Sequence, residues 1–254
     1  MLSCMEYRLF SKDRLNTQMS SLFHGALMET LDESFAAYVH ESMMHPYAQH
    51  LERRGDEWYW VINTLSKNSD SVIRQGLRDK ESIYLSRRDL NVIIQKSKDV
   101  TLTDDELKDI FYNEDHDGYF QLRFLTPTAF KRRGEYLFIP DLFCIYQSLM
   151  NRYDSVGNEG FHDEDALQEL AQRSRIIRYD LRSTVFSLEG VRIPSFLGTV
   201  TIRLDGTMTM KRFAHMLFRF GEFSGVGIKT SLGMGAITLD KGQHNMKRGE
   251  KTNE

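Results

Sequence analysis

Segments with strand-like and helix-like periodicity follow one another in much the same order twice along this chain of 254 residues. Each half opens with alternating apolar and polar residues, which is typical of a half-buried strand. An amphipathic helix, further strands, a second helix and a closing strand come next. A chain with this order has to bury two sheets under two sets of helices, so the pattern restricts the fold to the α+β class.

The first half opens with a predicted strand at Met5–Phe10, where Met5, Tyr7 and Leu9 share one side. Apolar residues at spacings of three and four from Ser20 to His40 predict one amphipathic helix. The other predicted elements are strands at Trp58–Leu65, Ser82–Leu85 and Val92–Gln95, a helix at Ser69–Arg78, and a helix that runs from a capping box at Thr103 to Tyr112.

The second half begins with a predicted strand at Tyr119–Phe124, and Pro140–Asp141 opens a helix. The following predicted elements are strands at Ile176–Leu188, Thr199–Leu204 and Met234–Leu239, and a helix at Thr207–Phe220. Together the halves predict two tandem ferredoxin-like (βαββαβ, RRM-like) domains, at residues 1–120 and 121–240, with a disordered polar tail at 241–254.

Composition narrows the functional classes. No run of about eighteen apolar residues predicts a membrane span, and the N-terminus lacks the apolar core of a secretion signal. Two cysteines cannot form a disulfide framework or a zinc site by themselves, so we expect a cytoplasmic protein. The formal charge of −3 is uneven, because residues 1–120 carry −7 and residues 121–254 carry +4. A local anion site on the second half is therefore compatible with the acidic total, and ordinary surface scatter is the alternative.

An acidic segment that begins at Asn113 resembles the first half of a calcium-binding loop. An EF-hand loop needs a bidentate acid at its twelfth position, and here that position is Phe124 within a predicted strand. We therefore interpret the segment as an acidic turn between the two domains.

The most unusual segment is glycine-rich and lies between the last predicted helix and strand. It carries Gly221, Gly225, Gly227, Gly233 and Gly235 within fifteen residues. Glycines permit positive φ and close backbone approach, so such a loop can surround an anion with amide groups. It is neither a P-loop nor a dinucleotide fingerprint, because it does not connect a strand to a following helix. A flexible connector is the alternative reading.

This segment closely resembles the glycine-rich loop of the CRISPR-associated endoribonucleases that process precursor CRISPR RNA, in the RAMP superfamily; Met234 replaces the usual aromatic residue. Phe124-Leu-Thr126-Pro127 is similar to the strand that opens their second domain, with Thr126 in place of serine. The segment Leu22 to Tyr47 resembles their first helix and its continuation. The resemblance spans residues 5–240 and implies the tandem RAMP fold and a metal-independent RNA-cleaving activity with no cofactor.

Four of the eight histidines fall between residues 24 and 50. A zinc site is disfavoured, because no cysteine or well-placed carboxylate completes a tetrahedral set. His24 and His40 would lie about 24 Å apart on one continuous helix, so a bend is needed to bring them together. Imidazole can act as a base or an acid near neutral pH. Unconnected surface histidines are the alternative.

The resemblance implies catalytic roles for three histidines. His40, in the context Tyr38-Val-His40-Glu41, matches the family's catalytic histidine. His24 stands where the family has a tyrosine, and His45 approximately matches its lysine. We expect His40 as the principal acid or base, His24 as its opposing partner and His45 as electrophilic support. Which of His40 and His24 is the base stays open.

The expected partner is CRISPR repeat RNA, as precursor and as processed guide RNA with a 5′-hydroxyl and a 2′,3′-cyclic phosphate on the products. Other Cas effector subunits and a second copy of the chain are further candidate partners. The residues predicted to contact RNA are Lys229, Ser231, the loop glycines Gly225, Gly227, Gly233 and Gly235, the basic run Lys131, Arg132 and Arg133, and Arg175. A non-catalytic RAMP subunit of an effector complex is the alternative function, and an unrelated two-domain protein is a third.

Overall fold

A computed structural model describes residues 1–42, 44–157 and 163–240, so the predicted tail at 241–254 lies outside the described residues. Two antiparallel sheets divide the described chain. The first sheet comprises β1 (Leu2–Phe10), β2 (Tyr47–Arg54), β3 (Glu57–Thr64), β4 (Ser82–Leu85) and β5 (Leu90–Leu102), in the spatial order β2-β3-β1-β5-β4. With β4 set aside, this is the ferredoxin-like order, in which the first strand lies between the third and the last.

Three helices cover one face of this sheet: α1 (Ser20–Met28), α2 (Glu33–Glu41) and α3 (Lys67–Leu77). The prediction of one helix from Ser20 to His40 is wrong, because the chain breaks between α1 and α2. Asp32 has extended backbone angles, and its carboxylate accepts a hydrogen bond from the Phe35 amide at 2.8 Å as the N-cap of α2. Gly76 of α3 packs against the break, where a Cβ would lie 2.7 Å from the Thr30 carbonyl oxygen.

The second sheet repeats the same topology. It comprises β6 (Tyr119–Thr128), β9 (Ser174–Leu188), β10 (Val191–Leu204) and β11 (Ile237–Asp240), in the order β11-β6-β10-β9. A separate hairpin, β7 (Phe130–Arg132) and β8 (Glu135–Leu137), follows β6 directly. The prediction of two tandem ferredoxin-like units is confirmed.

The helices of the second unit are α5 (Leu142–Ser155), α6 (Glu164–Arg173) and α7 (Met208–Ser224). The helix α4 (Asp104–Asn113) connects the two sheets and begins at the predicted capping box of Thr103 and Glu106. Its buried Leu107 and Ile110 belong to the apolar core of the second unit. The predicted division at residue 120 remains a prediction.

The sequence patterns did not predict β2, the β7–β8 hairpin or α6. The predicted short strands at 92–95 and 199–204 are parts of the longer strands β5 and β10. The strand β2 was not predicted because Gln49 and His50 are polar but buried, which hides the alternation that marks a half-exposed strand. Within the described residues, no helix is both long enough and apolar enough to span a bilayer.

Candidate functional site

Three of the four clustered histidines lie on consecutive elements of the first unit. His24 lies on α1, His40 in the exposed last turn of α2, and His45 in the link between α2 and β2. The break between α1 and α2 supplies the bend that this arrangement needs. We refer to these three residues as the histidine cluster. The fourth, His50, is buried on β2 and lies outside the cluster.

Tyr47, the first residue of β2, completes a group of stacked rings. The ring centroids of His24, His45 and Tyr47 lie 6.0–6.2 Å from one another, and the ring planes are within 20° of parallel. The hydroxyl of Tyr47 lies 2.6 Å from Nδ1 of His24. Contact among residues from α1, the 44–46 link and β2 fixes the His24 ring in one orientation.

Burial determines the protonation states of His24 and Tyr47. It lowers the pKa of His24 to about 4, with a further contribution from His45, so His24 is neutral at pH 7. It raises the pKa of the Tyr47 hydroxyl, which therefore keeps its proton. We assign Tyr47 as the donor to Nδ1 of His24, because the hydroxyl keeps its proton and Nδ1 lies 2.6 Å away, and the neutral imidazole then carries its own proton on Nε2. His24 thus presents an N–H donor on the ring edge opposite Tyr47.

The pKa of His45 is also lowered. Burial is the main cause, and Arg152, His40 and Lys229 contribute further. Arg152 donates a hydrogen bond from Nη2 to the His45 carbonyl oxygen at 3.4 Å. Nδ1 of His45 is buried and has no hydrogen-bond partner among the described residues. Arg152 and Lys229 belong to the second unit, so the site lies at the boundary between the two ferredoxin-like units.

The glycine segment, residues 221–235, is a packed structure whose glycines are required by geometry. Gly225, Gly227, Gly233 and Gly235 all have positive φ. A Cβ at Gly235 would lie 2.0 Å from the Val226 carbonyl oxygen. The amides of these four glycines all donate hydrogen bonds inside the protein, to Gly221, Ser148, Thr230 and Pro127 respectively.

Within this segment, Lys229 is exposed and adopts a left-handed conformation with φ of 55°. Ser231, two residues later, is buried, and its carbonyl oxygen accepts a hydrogen bond from Gln49 at 2.8 Å. The segment therefore exposes the Lys229 side chain to solvent and buries Ser231 in the protein.

Gln49 of β2 connects the glycine segment to the helix that carries His24. Its side-chain amide donates to the carbonyl oxygens of Ser20 at 2.9 Å and Ser231 at 2.8 Å. Its own oxygen accepts from the indole of Trp60 at 2.9 Å. The side chain is 1% exposed and fully hydrogen-bonded. This network fixes Lys229 relative to the histidine cluster.

The predicted basic run lies next to the glycine segment. Lys131 and Arg132 are exposed on β7, and Arg133 occupies the turn to β8 with φ of 52°. Ala129, which precedes β7, accepts a hydrogen bond from the Ile228 amide at 3.1 Å. The run and Lys229 are therefore on adjoining segments.

Arg175 lies elsewhere. It forms an ion pair with Asp205 at 3.1 Å and is level with Tyr119, the first residue of β6. The glycine segment instead contacts Pro127 at the other end of β6, about 26 Å away along the strand. The structure thus separates Arg175 from the other predicted contact residues.

Comparison with known proteins identifies the family. The family model for the CRISPR-associated endoribonuclease Cas6 matches residues 122–237. A CRISPR-associated endoribonuclease Cas6 from Streptococcus thermophilus is 38% identical over 222 residues, which cover 86% of this chain and 90% of that protein. The chain belongs to the Cas6 endoribonuclease family.

Solved structures of Cas6 proteins share the fold. A Cas6 product complex superimposes with a TM-score of 0.79 at 18% identity, over 94% of this chain and 100% of that one. A RAMP protein described as binding different RNA substrates has a TM-score of 0.64 at 14% identity, over 94% of this chain and all of that one. The resemblance of the glycine segment to the CRISPR-associated endoribonucleases is confirmed by the family model and the curated relative, and these solved structures show the same fold.

Three residues of this Cas6-family site were not predicted to act there: Tyr47, Gln49 and Arg152. Tyr47 follows His45 and Pro46 directly, so its proximity to the cluster could have been suspected. The sequence gave no signal for Gln49 or Arg152. Their hydrogen bonds to the other unit, Gln49 to Ser231 and Arg152 to His45, join residues 182 and 107 positions apart in the chain. The roles predicted for the three histidines stay predictions.

Proposed function

We propose that this Cas6-family chain cleaves CRISPR repeat RNA without a metal ion, by attack of a 2′-hydroxyl on the adjacent phosphate. The observation that carries the proposal is the stacking of His24 on His45 next to the hydrogen bond that joins β2 to the glycine segment, which presents Lys229. Two imidazoles can move the protons of this reaction, and a fixed cation favours the negative charge that develops on phosphorus.

In this scheme His40 takes the proton of the 2′-hydroxyl. His24, in the protonated form that the bound phosphodiester favours, transfers its Nε2 proton to the leaving 5′-oxygen and becomes the neutral ring, and solvent restores both histidines afterwards. A bound phosphodiester opposes the effect of burial on the pKa of His24, because its negative charge favours the protonated imidazole. His45 is neutral at pH 7 and serves as a hydrogen-bond donor, so the positive charge comes from Lys229 and Arg152. The products carry a 5′-hydroxyl and a 2′,3′-cyclic phosphate.

The decisive experiment is cleavage of end-labelled repeat RNA in excess EDTA. We expect cleavage at one site, and no cleavage of an RNA with a single 2′-deoxynucleotide at that site. His40→Ala should lower the single-turnover rate at least about 100-fold while RNA affinity stays within about threefold. Specific binding without cleavage by the wild-type chain would support the non-catalytic RAMP subunit instead.

RNA is proposed to cross the exposed basic run on its way to Lys229. The double variant Arg132→Glu, Arg133→Glu should weaken binding about tenfold or more and reduce the slope of log Kd against log salt. Arg78→Glu, Lys80→Glu makes the same charge change at exposed positions of the first unit and is the matched control. Equal losses in the two double variants would contradict a local path. RNA contact by Arg175 is a separate prediction, tested by Arg175→Glu.

A further inference from the structure

Arg152 is a buried arginine in the last turn of α5, and among the described residues no carboxylate pairs with it. Arg152 is 7% exposed, and within residues 1–42, 44–157 and 163–240 its Nε–H has no acceptor. Over the same ranges, the one hydrogen bond of its side chain goes from Nη2 to the His45 carbonyl oxygen, at 3.4 Å. A guanidinium in this position has lost most of its hydration and has gained only one weak, neutral acceptor.

Helix energetics alone do not account for this arginine. A basic residue near a helix C-terminus gains only a small stabilisation from the helix dipole. Removing an ion from water without a paired counter-charge costs considerably more. Burial lowers the pKa of Arg152 to about 10, so the side chain still carries its charge at neutral pH. The free-energy cost of burying this charge, at the candidate active site of a Cas6-family protein, indicates that Arg152 contributes to function.

We propose that Arg152 is a positioning residue for RNA cleavage: its guanidinium holds the His45 carbonyl across the boundary between the two units, so that the link keeps His45 stacked against His24 and Tyr47. The inference rests on the proposed function. The hydrogen bond anchors the 44–46 link, which joins the helix carrying His40 to the strand that begins at Tyr47. The guanidinium also adds a positive charge next to the backbone of His45, and such a charge favours an anionic substrate at the site.

Among the described residues, the groups that stack on the His45 ring or lower its pKa come from five elements. They are His24 on α1, His40 on α2, Tyr47 on β2, Arg152 on α5 and Lys229 in the glycine segment, and no carboxylate is among them. Loss of the Arg152 charge therefore removes one of the charges that disfavour protonation of His45, and the pKa of His45 should rise.

The test compares Arg152→Met, Arg152→Lys and the control Arg212→Met. Arg212 also holds backbone carbonyls, those of Tyr112 and Glu114, but it pairs with Asp115 and lies away from the cluster. The first readout is the NMR titration of the His45 ring, assigned with His45→Gln. We expect the midpoint in Arg152→Met to rise by about half a pH unit or more, and to stay at its wild-type value in Arg152→Lys and Arg212→Met.

The second readout is the pH profile of single-turnover cleavage. In Arg152→Met we expect a rate at pH 7 lowered about tenfold or more, an acid limb moved to higher pH, and substantial recovery in Arg152→Lys. The melting temperature of Arg152→Met should not fall, because replacing a buried unpaired charge with an apolar side chain is neutral or stabilising. An unchanged His45 titration with an unchanged pH profile would overturn the inference. If the wild-type chain fails to cleave in EDTA, the proposed function fails, while the titration still decides whether Arg152 controls His45.

Discussion

The ionisation state of single side chains determines what this site can do. His24 and His45 both have lowered pKa values, and both are therefore neutral at pH 7. A neutral imidazole accepts a proton or donates a hydrogen bond, but it does not provide a cation for a phosphorane. The lysine and arginine from the second unit therefore contribute the charge that the histidines lack.

Tyr47→Phe tests how the His24 ring is oriented. Without the hydroxyl, Nδ1 of His24 loses its donor, and the neutral ring populates both tautomers. We expect the single-turnover cleavage rate to fall about tenfold, with RNA affinity unchanged and a loss of about 1–2 kcal/mol in the free energy of unfolding.

The matched control for this change is Tyr146→Phe. Tyr146 is also fully buried, and its hydroxyl lies 2.9 Å from Oγ of Ser174, far from the histidine cluster in sequence. It should lose similar stability and keep the wild-type cleavage rate. If both variants cleave at the wild-type rate, Tyr47 has no part in orienting His24.

The sequence pointed to residues of a conspicuous type, such as the clustered histidines. It gave no sign of residues whose role depends on contacts with distant parts of the chain. Histidines at positions 24, 40 and 45 are conspicuous, and a known family context singled them out. The link between Gln49 and Ser231 depends on a fold that joins distant segments, and a glutamine in a strand gives no sign of it. Arg152 likewise resembles any helical arginine until its burial is known.

At the scale of elements, the glycine segment functions as a rigid connector between the two units. Composition correctly singled it out, but composition alone also allowed a flexible loop. The structure shows why glycine is required at particular positions: at Gly233 a Cβ would lie 2.1 Å from the Cβ of Ser20, the first residue of α1. The segment is therefore packed against the N-terminus of the helix that carries His24.

Gly233→Ala should consequently disturb both stability and catalysis. The residue has φ of +106° and no space for a methyl group, so we expect a loss of about 2–4 kcal/mol in urea unfolding and a cleavage rate lowered about tenfold or more. Gly190→Ala is the control, because Gly190 has a similar φ of +84° with open space around it. Backbone strain alone should cost about 1–2 kcal/mol there, without an effect on cleavage. Equal losses in the two variants would show that Gly233 is not closely packed against α1.

For the molecule as a whole, the net charge of −3 conceals where the cations lie. The site draws its histidines from the acidic first half and its lysine and arginine from the second. The order of strands and helices predicted both ferredoxin-like units, completely for the βαββαβ order of the second half and only approximately for the first, where the buried polar residues of β2 hid that strand. The way the units meet was not predictable, since it depends on buried polar contacts such as Gln49 with Ser231.

Buried histidines also make the stability of the whole chain depend on pH. Burial lowers the pKa of His24, His50 and His215 to about 4, and it lowers those of His45 and His116 as well. In the unfolded chain these side chains titrate near 6.5. Between pH 6.5 and 4 the unfolded state therefore binds more protons than the folded state, and the free energy of unfolding falls as the pH falls.

Each such histidine contributes up to about 1.4 kcal/mol per pH unit within that window. Asp99, whose pKa is lowered to about 2, loses its contribution only at more acidic pH, and Glu222, whose pKa is raised by burial, acts in the opposite direction. Urea unfolding at pH 8, 7, 6 and 5 should show little change from pH 8 to 7 and a steep decline from pH 6 to 5. His50→Gln, at a buried position outside the proposed catalytic cluster, should make that decline shallower. A free energy of unfolding that stays constant from pH 7 to 5 would mean that these rings are hydrated in solution, and would exclude the neutral His24 ring inferred from its lowered pKa.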